Sequence, residues 1–282
     1  MRITKRQLKS IVRESVSTTR RARVTESKIS QTELAQILAQ HRLWVTTGGA
    51  DGEYADLHMA DLQGANLNDT NLHGADLEDA DLQGANLQYA DLSDANLGGA
   101  DLQGANLYDT NLAGADLSGV DLSNANLKGA NLQDAYLQDA NLQDADVVDA
   151  DLGGAYLESA RLYRADLLGA NLEGANLRHA YLREADFQDA NLQDANLSGT
   201  NLGGAYLYDT NLISANLSHA DLQGANLRGT NLSHADLRHA NFGTNILDCS
   251  SFRSAQFTRD ALPIISQHPK WPELKDTVRI IN

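Results

Sequence analysis

The feature that most constrains this 282-residue chain is a five-residue period, which starts at Ala55 and keeps its register to Arg259. The units read ADLHM, ADLQG, ANLND, TNLHG and onward, through 41 copies without an insertion or a deletion. A small residue, nearly always Ala, opens each unit, Asp or Asn follows, and Leu is third. Five matches neither the 3.6-residue period of a helix nor the two-residue period of a long strand. The pattern therefore predicts an array of short repeated units.

The composition of one unit indicates how the array folds. Ala and Leu are two residues apart, so an extended backbone places both on one face. The next two positions are rich in Gly, Asp, Asn and Ser, which favour tight turns. Short sides joined by corners make a coil, and stacked coils bury the Ala and Leu face while pairing backbone groups between rungs.

The size of the coil follows from a second period. The string DLQGANL begins at Asp61, Asp81, Asp101 and Asp221, always offset by multiples of twenty. This spacing predicts four units per coil and about ten coils. At roughly 4.8 Å per stacked strand, the tube would be about 49 Å long.

The A(D/N)LXX repeat resembles the pentapeptide-repeat family, and the resemblance covers residues 55–259. It implies an all-β solenoid, a right-handed quadrilateral β-helix of about ten coils with a central ladder of Leu. A short helix, the sequence HRLW and a Gly-Gly turn before the repeat are similar to bacterial, especially cyanobacterial, members. We therefore expect a cytoplasmic bacterial protein, with organelle targeting by the first 29 residues left open.

We predict four segments: a basic, flexible leader at 1–29, a helical cap and turn at 30–54, the repeat β-helix at 55–259, and a carboxy-terminal cap at 260–282. Ser30 and Glu33 form a capping-box pattern that opens the predicted helix. Phe242, Phe252 and Phe257 replace central Leu and suit a terminal plug. The leader fits three readings: a solvated tail, an organellar transit peptide, or an arm that touches nucleic acid or membrane.

Charge divides the chain sharply. The net charge is -16 at pH 7. By direct count residues 1–54 carry +5, whereas residues 55–259 carry -21, spread nearly evenly over the four predicted sides. An acidic tube of this kind is not expected to bind DNA directly. No apolar run approaches the roughly 18 residues that span a bilayer, so we expect a soluble protein.

The sequence carries no pattern typical of an enzyme, a cofactor site or a metal site. Asp and Asn interchange freely before Leu, which indicates a role in backbone hydrogen bonding, since a catalytic acid could not be an amide. Cys249 is the single cysteine and excludes an intramolecular disulfide. His219 and His239 fall in one column with His179, and we interpret them as surface residues because a metal needs further convergent ligands.

One departure from the repeat predicts a contact surface. In the middle coils the Asp/Asn position becomes Tyr or Arg, and more Tyr and Arg residues occupy nearby corners on two adjacent sides. Aromatic residues and Arg are enriched at binding hot spots. The alternative is that Tyr and Arg only relieve like-charge repulsion. The candidate residues, called here the Tyr/Arg patch, are Tyr136, Tyr156, Arg161, Tyr163, Arg164, Arg178, Tyr181 and Arg183.

Three functions remain open from the sequence. The first is a non-enzymatic interaction scaffold that binds a macromolecular partner, which we expect to be a protein. The second is a DNA-mimicking inhibitor or protector of a type II topoisomerase, an activity that the family resemblance implies for some members. The third is a rigid spacer that displays the basic leader. We expect a monomer, with a carboxy-terminal dimer as the alternative that the family suggests.

Overall fold

The structure, a computed structural model, describes residues 29–281. Asp56 pairs with Asp76 in a parallel bridge, and Asp76 pairs with Asn96; the same twenty-residue step recurs to the bridge between Asp236 and Gln256. The columns that begin at 56, 61, 66 and 71 define the four sides, called faces 1 to 4 in chain order. The prediction of four units per coil is confirmed.

The centre of the tube holds the apolar ladder that the sequence predicts. The third residue of every unit from Leu57 to Leu237 is almost wholly buried, and so is nearly every Ala at the first position. Burying one Leu side chain contributes about 1.5–3 kcal/mol relative to leaving it exposed. The ladder therefore supplies a continuous core in a tube too narrow for a conventional one.

The corners explain the choice of Asp or Asn. At the first corner the N–H of Ala60 donates to the carbonyl of Leu57 at 3.1 Å, and Met59 has a φ of +56°. Gly, Asp and Asn tolerate this left-handed conformation better than other residues, so they dominate the fifth position of the unit. The Asp or Asn at the second position has a different role. At most corners its Oδ1 accepts from the backbone N–H two residues on, as Asp121 does from Ser123 at 2.9 Å. The interpretation that Asp and Asn serve the backbone is confirmed.

The amino-terminal end is covered by α1 (Gln31–Thr46). Oγ of Ser30 accepts from the N–H of Glu33 at 3.2 Å, as the capping-box pattern predicts. Leu34 and His41 are buried against the first coil. Gly52, at a φ of +79°, lies so close to α1 that a Cβ there would meet the backbone of Gln40 at 2.3 Å.

The array differs from the prediction in one unit. A 3₁₀ helix at Thr244–Asp248 interrupts face 3, so the expectation of uniform units is wrong there. Ile246 stands where other units have Asp or Asn; it cannot accept the corner hydrogen bond, and it is fully buried instead. Nδ2 of Asn245 donates to the carbonyls of Leu222 and Ala225, both at 3.0 Å, and the Ala225 carbonyl is the acceptor that the missing rung would have paired. The twenty-residue register resumes at Ser251.

The carboxy-terminal residues fold over the last coil. β1 (Gln256–Thr258) is followed by a 3₁₀ turn at Arg259–Ala261, α2 (Leu262–Ile265), α3 (Trp271–Leu274) and β2 (Arg279–Ile281). β2 pairs with β1 in parallel and adds a rung to the tube. Phe252 and Phe257 are fully buried beneath this segment.

The remaining expectations about segments concern boundaries and the leader. The leader, apart from Ile29, lies outside the described residues. Within residues 29–281, none of the helices combines the length and the apolar character that crossing a bilayer requires. The division of the chain at 29, 54 and 259 stays a prediction.

Candidate functional site

Two tyrosines of the patch stack on face 1. Tyr136 and Tyr156 occupy the same position in consecutive coils and form a parallel bridge. Their ring centroids are 5.1 Å apart and their planes differ by 5°. Tyr156 is 40% exposed. The pair therefore presents an aromatic surface in a wall that is otherwise lined by Asp and Asn.

Arg161 and Tyr181 hold the equivalent positions on face 2, where they also form a bridge between consecutive coils. Tyr181 is 56% exposed. Asp121 lies two coils before Arg161 on face 2. Burial alone would raise the pKa of Asp121, but hydrogen bonds from Ser123 and Asn141 and the charge of Arg161 lower it instead. Arg161 therefore stabilises a carboxylate in the ionised form while its own side chain stays at the surface.

The other arginines of the patch lie beside carboxylates. Arg164 contacts Asp144 at 3.4 Å, Arg178 contacts Glu158 at 3.6 Å and Arg183 contacts Glu184 at 3.3 Å. The hydroxyl of Tyr163 donates to Oε2 of Glu184 at 3.0 Å. All three arginine side chains are more than half exposed, so these pairs contribute little to stability. Their effect is to make the patch nearly neutral within an acidic tube.

A hollow of about 290 Å³ lies on face 2 next to the patch. It forms because Gly203 and Gly204 carry no side chain in the coil that follows Arg183 and Glu184. Its walls offer both signs of charge and several amides. The lining residues are Arg183, Glu184, Asn201, Gly203, Gly204, Asp221 and Gln223.

The structure places the eight predicted residues on faces 1 and 2 and at the corners that follow each of these faces. It also shows two features that the sequence analysis missed. The first is the hollow at Gly203. The second is Tyr206, a further Tyr at the Asp/Asn position, which is 53% exposed but lies on face 3. The substitution rule that identified Tyr181 would also have found Tyr206.

A family model described as pentapeptide repeats matches the chain in eight copies that together extend over residues 48–259. The chain belongs to the pentapeptide-repeat family. Its coil is accordingly the right-handed quadrilateral β-helix of that family.

Solved structures of pentapeptide-repeat proteins resemble the chain. HetL, from the cyanobacterium Nostoc sp. strain PCC 7120 and described as involved in heterocyst differentiation regulation, is 30% identical over 76% of this chain and 94% of its own, with a TM-score of 0.54. Rfr23 from the cyanobacterium Cyanothece 51142 is 40% identical over 36% of this chain and 58% of its own, with a TM-score of 0.14. QnrB1, described as a plasmid-mediated fluoroquinolone resistance protein, is 24% identical over 58% of this chain and 81% of its own, with a TM-score of 0.29. Comparison with curated proteins gives no match.

The histidine column of this pentapeptide-repeat protein lies on face 1. The rings of His219 and His239 stack at 4.8 Å between centroids, with planes 16° apart. Within residues 29–281, no group of three or more His, Cys, Asp or Glu side chains is arranged to hold a metal ion. His219 and His239 are both exposed, so this column lies at the surface.

Proposed function

We propose that this pentapeptide-repeat protein is a non-enzymatic interaction scaffold that binds a protein partner through the Tyr/Arg patch. One observation carries the proposal. From Asp56 to Asn241 the second position of each unit is Asp or Asn except at Tyr136, Tyr156, Arg161, Tyr181 and Tyr206. Four of these five exceptions lie together on faces 1 and 2.

Each exception is unfavourable for the fold. An Asp or Asn here accepts a hydrogen bond from the backbone two residues on, as Asn201 does from Gly203 at 3.0 Å. The hydroxyl of a Tyr lies at the far end of its ring and cannot fold back to that N–H, and Arg is a donor only. A hydrogen bond of this kind contributes about 0.5–1.5 kcal/mol. Four clustered losses indicate that the side chains serve something other than the coil.

The chemistry of the patch favours a protein as partner. Its arginines are neutralised in part by Asp144, Glu158 and Glu184, so it lacks the excess positive charge that phosphate groups require. Exposed tyrosines surrounded by Arg and carboxylate pairs are typical of the centre and rim of protein interfaces. The hollow beside Arg183 could take one side chain of the partner.

The rigid tube gives the patch a fixed geometry. Tyr181 is held by a backbone bridge to Arg161 on one side and to Asn201 on the other. A partner therefore meets side chains whose backbone needs no ordering, which lowers the entropic cost of binding.

Affinity capture with matched variants tests the proposal. The full chain is compared with the double variant Tyr181→Asn/Arg183→Gln and with Tyr206→Asn/Arg228→Gln, which makes the same two changes on face 3. We expect proteins that are retained by the full chain and by the face 3 variant but lost by the face 2 variant, followed by direct binding of the purified partner. Equal retention by all three proteins would refute the proposal that the partner binds through the Tyr/Arg patch.

The two other functions are separated by further measurements. A partner retained by residues 1–29 alone would move the function to the leader. Inhibition of a type II topoisomerase at micromolar protein would support DNA mimicry. We do not favour mimicry, because a mimic needs a continuous acidic surface and the patch interrupts it on two faces.

A further inference from the structure

The hollow on face 2 exists because one side chain is held away from it. Gly fills both the fourth and the fifth position of a unit at 98–99, 153–154 and 203–204. In the first two units a corner Asp of the coil before lies over the second Gly; at 153–154, Oδ1 of Asp134 is 2.7 Å from the point that a Cβ would occupy. In the third unit the atom nearest to that point is Cγ of Glu184, at 3.6 Å. Of these three units, the space therefore stays open at 203–204.

Two residues of the Tyr/Arg patch hold Glu184 in this position. Nε of Arg183 is 3.3 Å from Oε1 of Glu184, and the hydroxyl of Tyr163 donates to Oε2 at 3.0 Å. Arg183 belongs to the same unit as Glu184 and Tyr163 to the coil before, whereas Gly204 lies in the coil after. Both contacts draw the carboxylate away from the space over Gly204, so residues of the patch keep the hollow open.

The opposite wall of the hollow offers a carboxylate oxygen that can accept a hydrogen bond. Asp221 is half-buried, and its Oδ1 accepts from the N–H of Gln223 at 3.2 Å and from Nδ2 of Asn241 at 3.0 Å. Within residues 29–281 no hydrogen bond is donated to its Oδ2. The one Arg of the lining, Arg183, is already paired with Glu184. The hollow therefore has an excess of one negative charge, which is located at Asp221.

We propose that this hollow binds a basic side chain of the protein partner, the guanidinium of an Arg or the ammonium of a Lys. The inference rests on the proposed function and adds the chemistry of the group that the partner inserts. An N–H of that group would donate to Oδ2 of Asp221, and hydrogen bonds between charged groups are stronger than those between neutral ones. Tyr181 is 56% exposed, precedes Asn201 of the lining by one coil, and adds an aromatic ring near the rim, where it attracts a cation.

Other kinds of side chain fit this lining less well. An Asp or Glu would add a third carboxylate to a hollow that already has two, and like charges in one site repel each other. An apolar side chain would remove water from Oδ2 of Asp221 without replacing its hydrogen bond, which is unfavourable. The acidic array around the hollow also raises the local concentration of cations.

Titration of the isolated full chain with small probes tests the hollow without a partner. Nuclear magnetic resonance follows the amide signals of Gly203 and Gly204, and the probes are the amides of N-acetyl-arginine, N-acetyl-glutamine and N-acetyl-glutamate. We expect the arginine probe to half-saturate both signals at about 1–10 mM, and the neutral glutamine probe to need at least about tenfold more. The glutamate probe should leave both signals unchanged. The signals of 153–154 on face 4 should stay in place with every probe.

Two variants alter the hollow and leave the Tyr/Arg patch intact. Asp221→Asn removes the charge but keeps Oδ1 as the acceptor for Gln223, and it should weaken the arginine probe about tenfold. Gly203→Gln fills the space with the side chain that Gln223 has at the same position one coil later, and it should abolish the shift of Gly204. Gly203 lies outside the left-handed region, so its backbone accepts a side chain.

Matched controls lie elsewhere in the array. Asp101→Asn removes the same charge from the same string, DLQGANL, on the same face, and Gly153→Gln fills the Gly-Gly unit of face 4. Both controls should bind the arginine probe as the wild type does. Equal binding of the arginine and glutamine probes, no shift at about 50 mM arginine probe, or equal shifts at 153–154 and 203–204 would each overturn the proposal. These results come from the wild type, so they decide the question even if a variant does not fold.

Binding of the purified partner separates this inference from the proposed function. We expect Asp221→Asn and Gly203→Gln each to weaken the partner about tenfold, and the two control variants to leave its affinity unchanged. If Tyr181→Asn/Arg183→Gln loses the partner while both hollow variants bind it as tightly as the wild type, the inference fails and the proposed function stands. If the arginine probe binds in the hollow but no protein depends on the Tyr/Arg patch, the proposed function fails instead.

Discussion

Asn211 ties its own corner to the coil before it: Nδ2 donates to Oδ1 of Asn191 at 2.9 Å, and its Oδ1 accepts from the N–H of Ile213 at 3.1 Å. One side chain thus closes a turn and links two rungs. The same double role recurs along face 4, where Nδ2 of Asn191 donates to Oδ1 of Asn171 at 3.1 Å. The second residue of the repeat is therefore both a corner cap and a rung-to-rung link.

Replacing Asn211 should separate the two contributions. Asn211→Ala removes both hydrogen bonds and should lower the free energy of unfolding by about 1–2 kcal/mol. Asn211→Asp keeps the acceptor for Ile213 and loses only the donor, so its effect should be about half as large. Chemical denaturation measures both, and an Asp variant less stable than the Ala variant would contradict the assignment.

Most of the architecture could be predicted because the repeat is local. The five-residue spacing fixes which side chains point inward, and the twenty-residue spacing of strings such as that at Asp61 fixes the coil. The interchange of Asp and Asn indicates a hydrogen bond that either side chain can accept. Ser30 and Glu33 predict the start of α1, because the capping-box pattern involves only four consecutive residues.

The rest depends on contacts that no short pattern records. At Ile246 a 3₁₀ helix interrupts face 3 and the side chain is buried, a change that the register of Ala and Leu does not show. The pairing of β2 with β1 joins Arg279 to Gln256 across an intervening turn and two short helices. The pairing of Arg178 with Glu158 depends on rotamers of long side chains, and the hollow at Gly203 depends on the side chains of the coil before it.

His41 should make the stability of the amino-terminal end depend on pH. Its ring is buried, Nδ1 accepts from the N–H of Ala55 at 3.0 Å, and Nε2 is buried without a hydrogen bond. Burial lowers its pKa from 6.5 to about 4, although a backbone interaction with His73 offsets part of the effect. As the pH is lowered, His41 is therefore protonated at a higher pH in the unfolded chain than in the folded chain.

Stability should fall as the pH is lowered from 6.5 towards 4, by roughly 3 kcal/mol in total for this one group. Above pH 6.5 the ring of His41 is neutral in both the folded and the unfolded chain, so the stability that depends on its being neutral is fully present. Urea unfolding at several pH values measures it, with His41→Phe as the control, since Phe cannot titrate. The wild type and the variant should differ in their slope with pH in this window, and equal slopes would contradict the assignment.

Cys249 should be inert in the folded protein. Its thiol is buried beside His268, with Sγ 3.9 Å from Nε2, and burial raises its pKa to about 12. A thiol reagent attacks the thiolate, so the native chain should react slowly and gain one reactive group on unfolding. Gln143→Cys on the exposed wall of face 2 should add one thiol that reacts at once. Rapid reaction of the native wild type would show that the carboxy-terminal cap opens readily.

Restoring the repeat at the patch should increase stability while abolishing binding. In Tyr181→Asn, Oδ1 can accept from the N–H of Arg183, as Asn201 does from Gly203 in the next coil. We expect a gain of about 0.5–1.5 kcal/mol in the free energy of unfolding. Tyr206→Asn restores the same corner on face 3 and should give a similar gain.

The two variants differ in what else they change, and this difference distinguishes a functional Tyr from a tolerated one. Tyr181→Asn should lose the protein partner, whereas Tyr206→Asn should keep it, because only Tyr181 belongs to the Tyr/Arg patch. Thermal unfolding gives the stability of each variant, and titration with the purified partner gives its affinity. If Tyr181→Asn is more stable and binds as tightly as the wild type, the Tyr at this position serves no interface and the proposed function fails.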